Sequence, residues 1–102
     1  RPISYRNLPR FPAAIRDLAL IVAEEVSARQ ITDILRSSPL VTEVTLFDLY
    51  RGRPIPTGHK SLAFRLRFQS PQRTLTDTEV DRAQQQLVER LGKELGAVLR
   101  SA

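Results

Sequence analysis

Several residue types that often carry chemistry are absent or nearly absent from this chain. It contains no Cys, no Met and no Trp, and its one histidine is His59. Without Cys the chain can form no disulfide, thiolate metal site or thiol nucleophile. A lone His and the lack of paired carboxylates argue against a histidine metal cluster, a catalytic triad or a small enzyme on this scaffold. We therefore expect a domain with no catalytic, cofactor-binding or metal-binding residues of its own.

Long hydrophobic runs are also missing. No apolar run approaches the roughly 18 residues of a membrane-spanning helix, and no signal-peptide pattern opens the chain, so we expect a cytoplasmic protein. Because the sequence lacks Met and opens in a loop-like segment with several prolines, we expect a piece of a longer protein. Its 102 residues, 41% of them hydrophobic but only 6% aromatic, predict one domain with a mainly aliphatic core.

Negative charge is scarce relative to positive charge. The chain has 16 Lys and Arg residues against 11 Asp and Glu residues, which gives a net charge of +5. Only Lys60 and Lys93 are lysines, so nearly all of the positive charge is arginine. Arginine binds phosphate through two parallel hydrogen bonds and stacks on planar groups. This composition is compatible with a nucleic-acid partner but does not prove one.

Two helices are predicted, and the same sequence signals mark the start of both. A predicted strand precedes each helix. In a capping box, the side chain of a Ser or Thr bonds the backbone N–H of the residue three positions later, and the Glu or Gln at that position bonds the backbone N–H of the Ser or Thr. A hydrophobic staple is a contact between the apolar residue just before the box and one just after it. The capping boxes are Ser27 with Gln30 and Thr76 with Glu79, and the staples are Val26 with Ile31 and Leu75 with Val80. The first helix ends by residues 37–39 and the second near Gly92 and Gly96.

Between the helices lies a predicted hairpin, residues 41–69, with a loop rich in Pro and Gly. Side chains along a strand alternate between its two faces. The second run therefore has an apolar face, formed by Leu62, Phe64, Leu66 and Phe68, and a polar face, formed by Ser61, Ala63, Arg65, Arg67 and Gln69. In the first run we expect Phe47 and Leu49 to join the core. The opposite, open face would then carry Asp48, Tyr50, Ser61, Arg65 and Arg67.

The predicted order of elements is β-α-β-β-α-β. The first strand covers residues 16–23 and has apolar residues on both faces, which is typical of a central strand. A short last strand covers residues 97–99. Two helices with one apolar stripe each would cover one face of a four-stranded antiparallel sheet, which is the ferredoxin-like split βαβ fold of the α+β class. We expect residues 1–15 to form an extended arm or linker and residues 16–102 to form the domain.

Five segments occur in the order and spacing of a known family. They are F-P-A-A-I-R-D-L-A-L-I-V (11–22), L-F-D-L-Y-R-G (46–52), G-H-K-S-L-A-F-R-L-R-F-Q (58–69), R-T-L-T-D (73–77) and G-A-V-L-R (96–100). Together they resemble the ferredoxin-fold anticodon-binding domain that ends the β subunit of bacterial phenylalanyl-tRNA synthetase. Each segment alone is a weak signal, but five in register over nearly the whole chain are a specific one.

The resemblance implies a parent enzyme that joins phenylalanine to its tRNA using ATP and Mg²⁺, as an (αβ)₂ heterotetramer with its catalytic site in the other subunit. It also implies that this domain binds the anticodon stem-loop, and in particular the first anticodon base, a guanine. In the family, the D-x-Y motif of the second strand and the Ser after the hairpin loop contact that base. They match Asp48, Tyr50 and Ser61.

The chemistry of these side chains suits that role. An unpaired base can stack on an aromatic ring, here Tyr50. A carboxylate such as Asp48 can accept from both N1–H and the N2 amino group of guanine, and Ser61 can donate or accept at a neighbouring edge. Arg65 and Arg67 would hold phosphates.

Other interpretations remain open for these residues. Asp48 could be a salt-bridge partner of an arginine, and Tyr50 a half-buried packing residue. The alternative function is a protein-interaction module that docks an acidic partner or subunit through the open face. An ordinary RNA recognition motif is disfavoured, because its stacking aromatics belong on the open face of the third strand, whereas Phe64 and Phe68 have core parity.

Overall fold

The computed structural model describes residues 11–101 of the chain, and the elements follow the predicted order. The four strands and two helices are β1 (Ala14–Ala23), α1 (Ala28–Leu35), β2 (Val41–Tyr50), β3 (His59–Phe68), α2 (Asp77–Leu95) and β4 (Val98–Ser101). β1 starts two residues before its predicted start, and β4 lies one residue later than predicted and extends to Ser101. The first ten residues of the predicted arm lie outside the described residues.

Both helices begin where the capping boxes predict. The Gln30 N–H donates to Ser27 Oγ at 3.1 Å, and the Ser27 N–H donates to Gln30 Oε1 at 2.9 Å. The same pair of bonds joins Thr76 and Glu79 at the start of α2. α2 ends at Gly96, whose φ of 67° lies in the left-handed region that favours glycine. These local signals determine where along the chain each helix begins, independently of the contacts between helices and sheet.

The four strands form one sheet in the order β2-β3-β1-β4, and all three neighbouring pairs are antiparallel. β1 and β3 are therefore central, while β2 and β4 form the two edges. This arrangement confirms the predicted ferredoxin-like fold, including the central position of the first strand.

One hydrophobic core lies between the sheet and the two helices. β3 contributes Leu62, Phe64, Leu66 and Phe68, all of them 0% exposed. β1 contributes Leu18, Leu20 and Val22, and the helices contribute Ile31, Ile34, Leu35, Val80, Ala83, Leu87 and Leu91. Because both helices pack in this single cluster, they cover the same side of the sheet. We call that side the helix face and the other side the open face.

Polar contacts join segments at the edges of the core. Arg16 extends from β1 on the helix face and pairs with Asp77 and Asp81 of α2. Gln69, just after β3, donates through Nε2 to the Phe11 carbonyl oxygen at 2.6 Å, which fixes the chain ahead of β1. Neither of the two helices in the described part of the chain has the length and apolar character needed to cross a membrane.

Candidate functional site

The strand register brings the five predicted site residues to the open face. Cross-strand partners project to the same side of a sheet. Tyr50 pairs with Ser61, and Asp48 pairs with Ala63, which shares the parity of Ser61. Arg65 and Arg67 follow on the same side of β3, opposite its buried residues. Asp48, Tyr50 and Ser61 lie toward the loop formed by residues 51–58, and we call this region the loop end of the open face.

Phe47 does not join the core, so this part of the prediction is wrong. The register of β2 shifts between Leu46 and Asp48, and Phe47 is the extra residue of a β-bulge. Its side chain is 48% exposed, and the Arg65 guanidinium carbon lies 4.9 Å from the centre of its ring. Since Arg65 is on the open face, Phe47 is on that face too. A bulge adds one residue to a strand and therefore breaks the simple alternation from which the core position was predicted.

Leu49 follows the prediction only in part. It pairs with Leu62 and so lies on the helix face, but it remains 44% exposed. Leu46, which pairs with Phe64, is 42% exposed on the same side. Val41 and Val44 at the start of β2 pack against the core. The helix layer thus covers the beginning of this edge strand and leaves its end uncovered.

Tyr50 presents an exposed ring whose hydroxyl is anchored. The Tyr50 hydroxyl donates to the Arg53 carbonyl oxygen at 2.6 Å, while the residue is 43% exposed. Gly52 between them has a φ of 98°, a conformation that residues with a Cβ rarely adopt. The hydroxyl bond restricts rotation of the ring and leaves ring surface available to a planar ligand.

Asp48 carries a carboxylate without a partner among residues 11–101. It is exposed, and neither an ion pair nor a hydrogen bond to its side chain occurs within that range, despite the arginines nearby. The salt-bridge interpretation of Asp48 therefore gains no support from the described residues. The carboxylate is available as an acceptor beside the Tyr50 ring.

Arg100 joins this group, and the sequence analysis did not single it out. The Arg100 guanidinium carbon lies 5.8 Å from the centre of the Tyr50 ring, and Arg100 Nη1 is 3.5 Å from Ser61 Oγ. Ser61 is only 3% exposed, so a ligand reaches its hydroxyl by displacing or bonding Arg100. A signal was present in the sequence, because alternation from Val98 places Arg100 on the open face once β4 is extended past Leu99.

The two arginines predicted to bind phosphate have different surroundings. Arg65 forms a two-bond pair with Asp17 across β1 and β3, with Nε–Oδ1 at 2.8 Å and Nη2–Oδ2 at 2.9 Å. The Arg65 hydrogen bond lowers the pKa of Asp17, and the pair raises the pKa of Arg65. Arg67 is half-buried and donates through Nε to Gln69 Oε1 at 3.5 Å, with no carboxylate paired to it within the described range. Arg67 therefore has the less neutralised charge.

The 51–58 loop is clamped to the end of β1. Glu24 accepts two hydrogen bonds from Arg51, at 2.7 and 2.6 Å, and lies 3.6 Å from Lys60 Nζ. The Glu24 N–H also donates to the Gly58 carbonyl oxygen at 2.9 Å. The Arg51 hydrogen bonds lower the pKa of Glu24 from 4.5 to about 2. These contacts of Glu24 restrain the loop that contains Arg53. Because the Arg53 carbonyl accepts the bond from the Tyr50 hydroxyl, they also stabilise the position of the Tyr50 ring.

Comparison with known proteins identifies the family to which this chain is similar. The family model described as "Ferredoxin-fold anticodon binding domain" matches residues 9–100. The chain is 46% identical over 96 residues to a phenylalanine–tRNA ligase beta subunit of Anaeromyxobacter dehalogenans, and the match covers 94% of the chain. It is 46% identical over 100 residues to the corresponding subunit of Geobacillus kaustophilus, with 96% of the chain covered. A Dehalococcoides mccartyi subunit is 47% identical over 97 residues, covering 95% of the chain.

These matches also define how much of each relative the chain represents. In each of the three, the chain spans 12% of the relative's length. The family match, by contrast, includes the first five secondary-structure elements, all of β4 except Ser101, and every residue of the loop end. The chain belongs to the ferredoxin-fold anticodon-binding domain family.

Proposed function

We propose that the loop end of the open face binds the anticodon stem-loop of phenylalanine tRNA and reads the first anticodon base, a guanine. The observation that carries the proposal is the grouping of an exposed aromatic ring, a carboxylate without a partner among residues 11–101, and a hydroxyl in contact with an arginine. These groups are Tyr50, Asp48, Ser61 and Arg100, and they lie together on a member of an anticodon-binding family.

Tyr50 provides the stacking surface in this proposal. A loop base is unpaired and can be turned out of its stack onto an aromatic side chain, which contributes about 1–3 kcal/mol per base. The bond from the Tyr50 hydroxyl to Arg53 supports this role, because a ring that is already oriented loses little conformational freedom when the base binds.

In this proposal, Asp48 distinguishes guanine from the other three bases. Guanine presents two adjacent donors, N1–H and the N2 amino group, and a carboxylate can accept from both. Adenine and the pyrimidines do not offer this pair of donors. An Asp48 already bonded to an arginine could not make these contacts without breaking that pair, so its lack of a partner in the described chain supports the assignment.

Ser61 and the arginines complete the proposed site. Ser61 bonds a neighbouring edge of the base once Arg100 shifts from its long 3.5 Å contact. Arg100 supplies positive charge next to the base, and Arg67 holds a backbone phosphate. Arg65 also faces the RNA, but its pair with Asp17 leaves it less charge for a phosphate.

The parent protein is part of the proposal. The relatives are named as phenylalanine–tRNA ligase beta subunits, so we infer that this domain supports the joining of phenylalanine to its tRNA in the cytoplasm. The partners would be the rest of the beta subunit and the alpha subunit in an (αβ)₂ assembly. ATP and Mg²⁺ would serve the parent's catalytic site, and we assign neither to a residue of this chain.

A binding titration tests the proposal. The 102-residue chain is titrated with the phenylalanine tRNA anticodon stem-loop and with a stem-loop whose first anticodon guanine is changed to cytosine, at one near-physiological salt concentration. We expect the guanine form to bind about five- to 150-fold tighter, since a two-bond base contact contributes about 1–3 kcal/mol of discrimination. Equal affinities, or no binding at about 100 µM RNA, the weak end of nonspecific binding, would contradict the proposal and favour protein docking on this face.

A further inference from the structure

The proposed site leaves one exposed aromatic ring of the open face without a role. Phe47 is 48% exposed at the β2 bulge, and its neighbour Arg65 has a side chain that is 52% exposed. Aromatic rings in an otherwise polar and charged surface are the usual stacking surfaces for single-stranded nucleic acid. The bulge is what turns this ring to the same side as Tyr50.

Arg65 lies over one face of the Phe47 ring, so the two side chains form a stacked pair. Its guanidinium carbon lies 4.9 Å from the centre of the Phe47 ring, and both of its bonds to Asp17 fix the guanidinium plane. A guanidinium plane stacks on nucleobases as an aromatic ring does. Because Asp17 holds Arg65 in place, this arginine is better arranged to stack than to reach for a phosphate. We call the two side chains the Phe47–Arg65 platform.

We propose that the Phe47–Arg65 platform is a second subsite, which stacks another unpaired base of the same RNA. This inference rests on the proposed function. A strand rises about 3.3 Å per residue, so the three steps from Phe47 to Tyr50 span about 10 Å along β2. Stacked neighbouring bases are only about 3.4 Å apart along one strand. Bases on the two surfaces are therefore not stacked on each other, and the sheet holds them splayed apart.

The platform differs from the loop end in how it treats base identity. Both oxygens of Asp17 already accept a bond from Arg65, so this carboxylate is less available to a base edge than that of Asp48. Stacking without edge contacts tolerates any base. The platform therefore adds affinity and fixes the path of the RNA, and the guanine preference comes from the loop end.

Single abasic substitutions in the RNA test the proposal. Affinities are measured for the wild-type chain, Phe47→Leu and Tyr50→Leu against the anticodon stem-loop and against versions lacking one base at each loop position in turn. We expect one abasic position to weaken wild-type binding about five- to 150-fold and to cause no further loss in Phe47→Leu. Tyr50→Leu is expected to remove sensitivity at a different position, that of the first anticodon base.

Two matched variants control for indirect effects. Leu46→Ala alters the adjacent residue, which is 42% exposed but on the helix face, and is expected to leave every affinity unchanged. Phe47→Tyr keeps an aromatic ring and is expected to keep the sensitivity of wild type. Melting temperatures show whether each variant is folded, and Phe47→Tyr preserves the test if Phe47→Leu is not.

The outcomes separate the second subsite from the function on which it rests. If the wild type prefers guanine but the effects of Phe47→Leu and of every abasic position are additive, the platform is not a base subsite. The proposal would also be overturned if Phe47→Leu and Tyr50→Leu both removed the sensitivity to the same abasic position of the RNA loop. A wild type that binds no stem-loop would overturn both proposals.

Discussion

The two faces of β3 differ in their side-chain chemistry and in how closely they are covered. On the helix face, Leu62, Phe64, Leu66 and Phe68 are all 0% exposed and form the centre of the core. On the open face, the very next residue after Phe64 is Arg65, whose side chain is 52% exposed and is hydrogen-bonded to Asp17 on β1. One side of the strand therefore stabilises the fold, and the other side carries residues of the proposed binding site. Substitutions on the two faces should affect different measurements.

The largest expected effect is on the helix face. Phe64→Ala removes a fully buried ring, and such truncations lower the free energy of unfolding by about 3–5 kcal/mol because they leave a cavity. Urea denaturation of the wild type and the variant measures this. A loss of less than about 0.5 kcal/mol, the usual effect of an exposed site, would mean that the ring does not hold the sheet to the helices.

The complementary change is on the open face. Tyr50→Ala should weaken binding of the anticodon stem-loop by about 1–3 kcal/mol, the contribution of one stacked base. Its effect on unfolding should be near 1 kcal/mol, mainly the lost hydroxyl bond to Arg53. Titration and thermal melting are run on the same samples. A large fall in melting temperature would instead place Tyr50 among the residues that stabilise the core.

A smaller effect distinguishes two arginines of the open face. Arg67→Gln should reduce the dependence of log affinity on log salt concentration by about 0.7, the slope of one phosphate contact to a single strand. Arg65→Gln should change that slope less, because Asp17 already neutralises Arg65. Titrations at several salt concentrations measure both slopes. Equal slope changes would show that Arg65 also contacts a phosphate.

The smallest effect concerns the clamp behind the loop. The pKa of Glu24 is about 2 in the folded chain, below its ordinary value of 4.5, because Arg51 bonds the carboxylate. Glu24 therefore stabilises the fold above pH 4.5 and loses this effect as the pH falls toward 2. The difference in melting temperature between wild type and Glu24→Gln should shrink over that range.

Glu25→Gln is the control for the Glu24 experiment, since Glu25 is the exposed neighbour and has no ion pair in the described part of the chain. It produces the same change in net charge without disturbing the clamp. A difference for Glu24→Gln that stays constant down to pH 2 would mean that the Arg51 pair does not contribute to stability.

The fold could be predicted from the sequence because its signals are local. The capping boxes at Ser27 and Thr76 start both helices, and the alternation in β3 is regular over the whole strand. Each of these patterns depends on residues a few positions apart. The positions of Asp48 and Tyr50 on the open face followed from the same reasoning.

β2 shows where this reasoning fails. The register of β2 shifts twice, once between Val41 and Glu43 and once between Leu46 and Asp48. A bulge is set by pairing with the neighbouring strand, so alternation within β2 alone could not reveal that Phe47 turns to the open face. Contacts between distant segments, such as Arg65 with Asp17, also required the assembled sheet.

The most direct test of the central claim, that Asp48 reads guanine on the open face, replaces the first anticodon guanosine with inosine, which lacks the N2 amino group. Affinities for both stem-loops are measured with the wild-type chain and with Asp48→Asn. We expect the wild type to prefer guanosine about tenfold or more, the effect of losing one hydrogen bond to a carboxylate, and Asp48→Asn, which keeps only one neutral acceptor oxygen, to show a clearly smaller preference. An equal preference for guanosine in both proteins would contradict the account, because another group would then read the base.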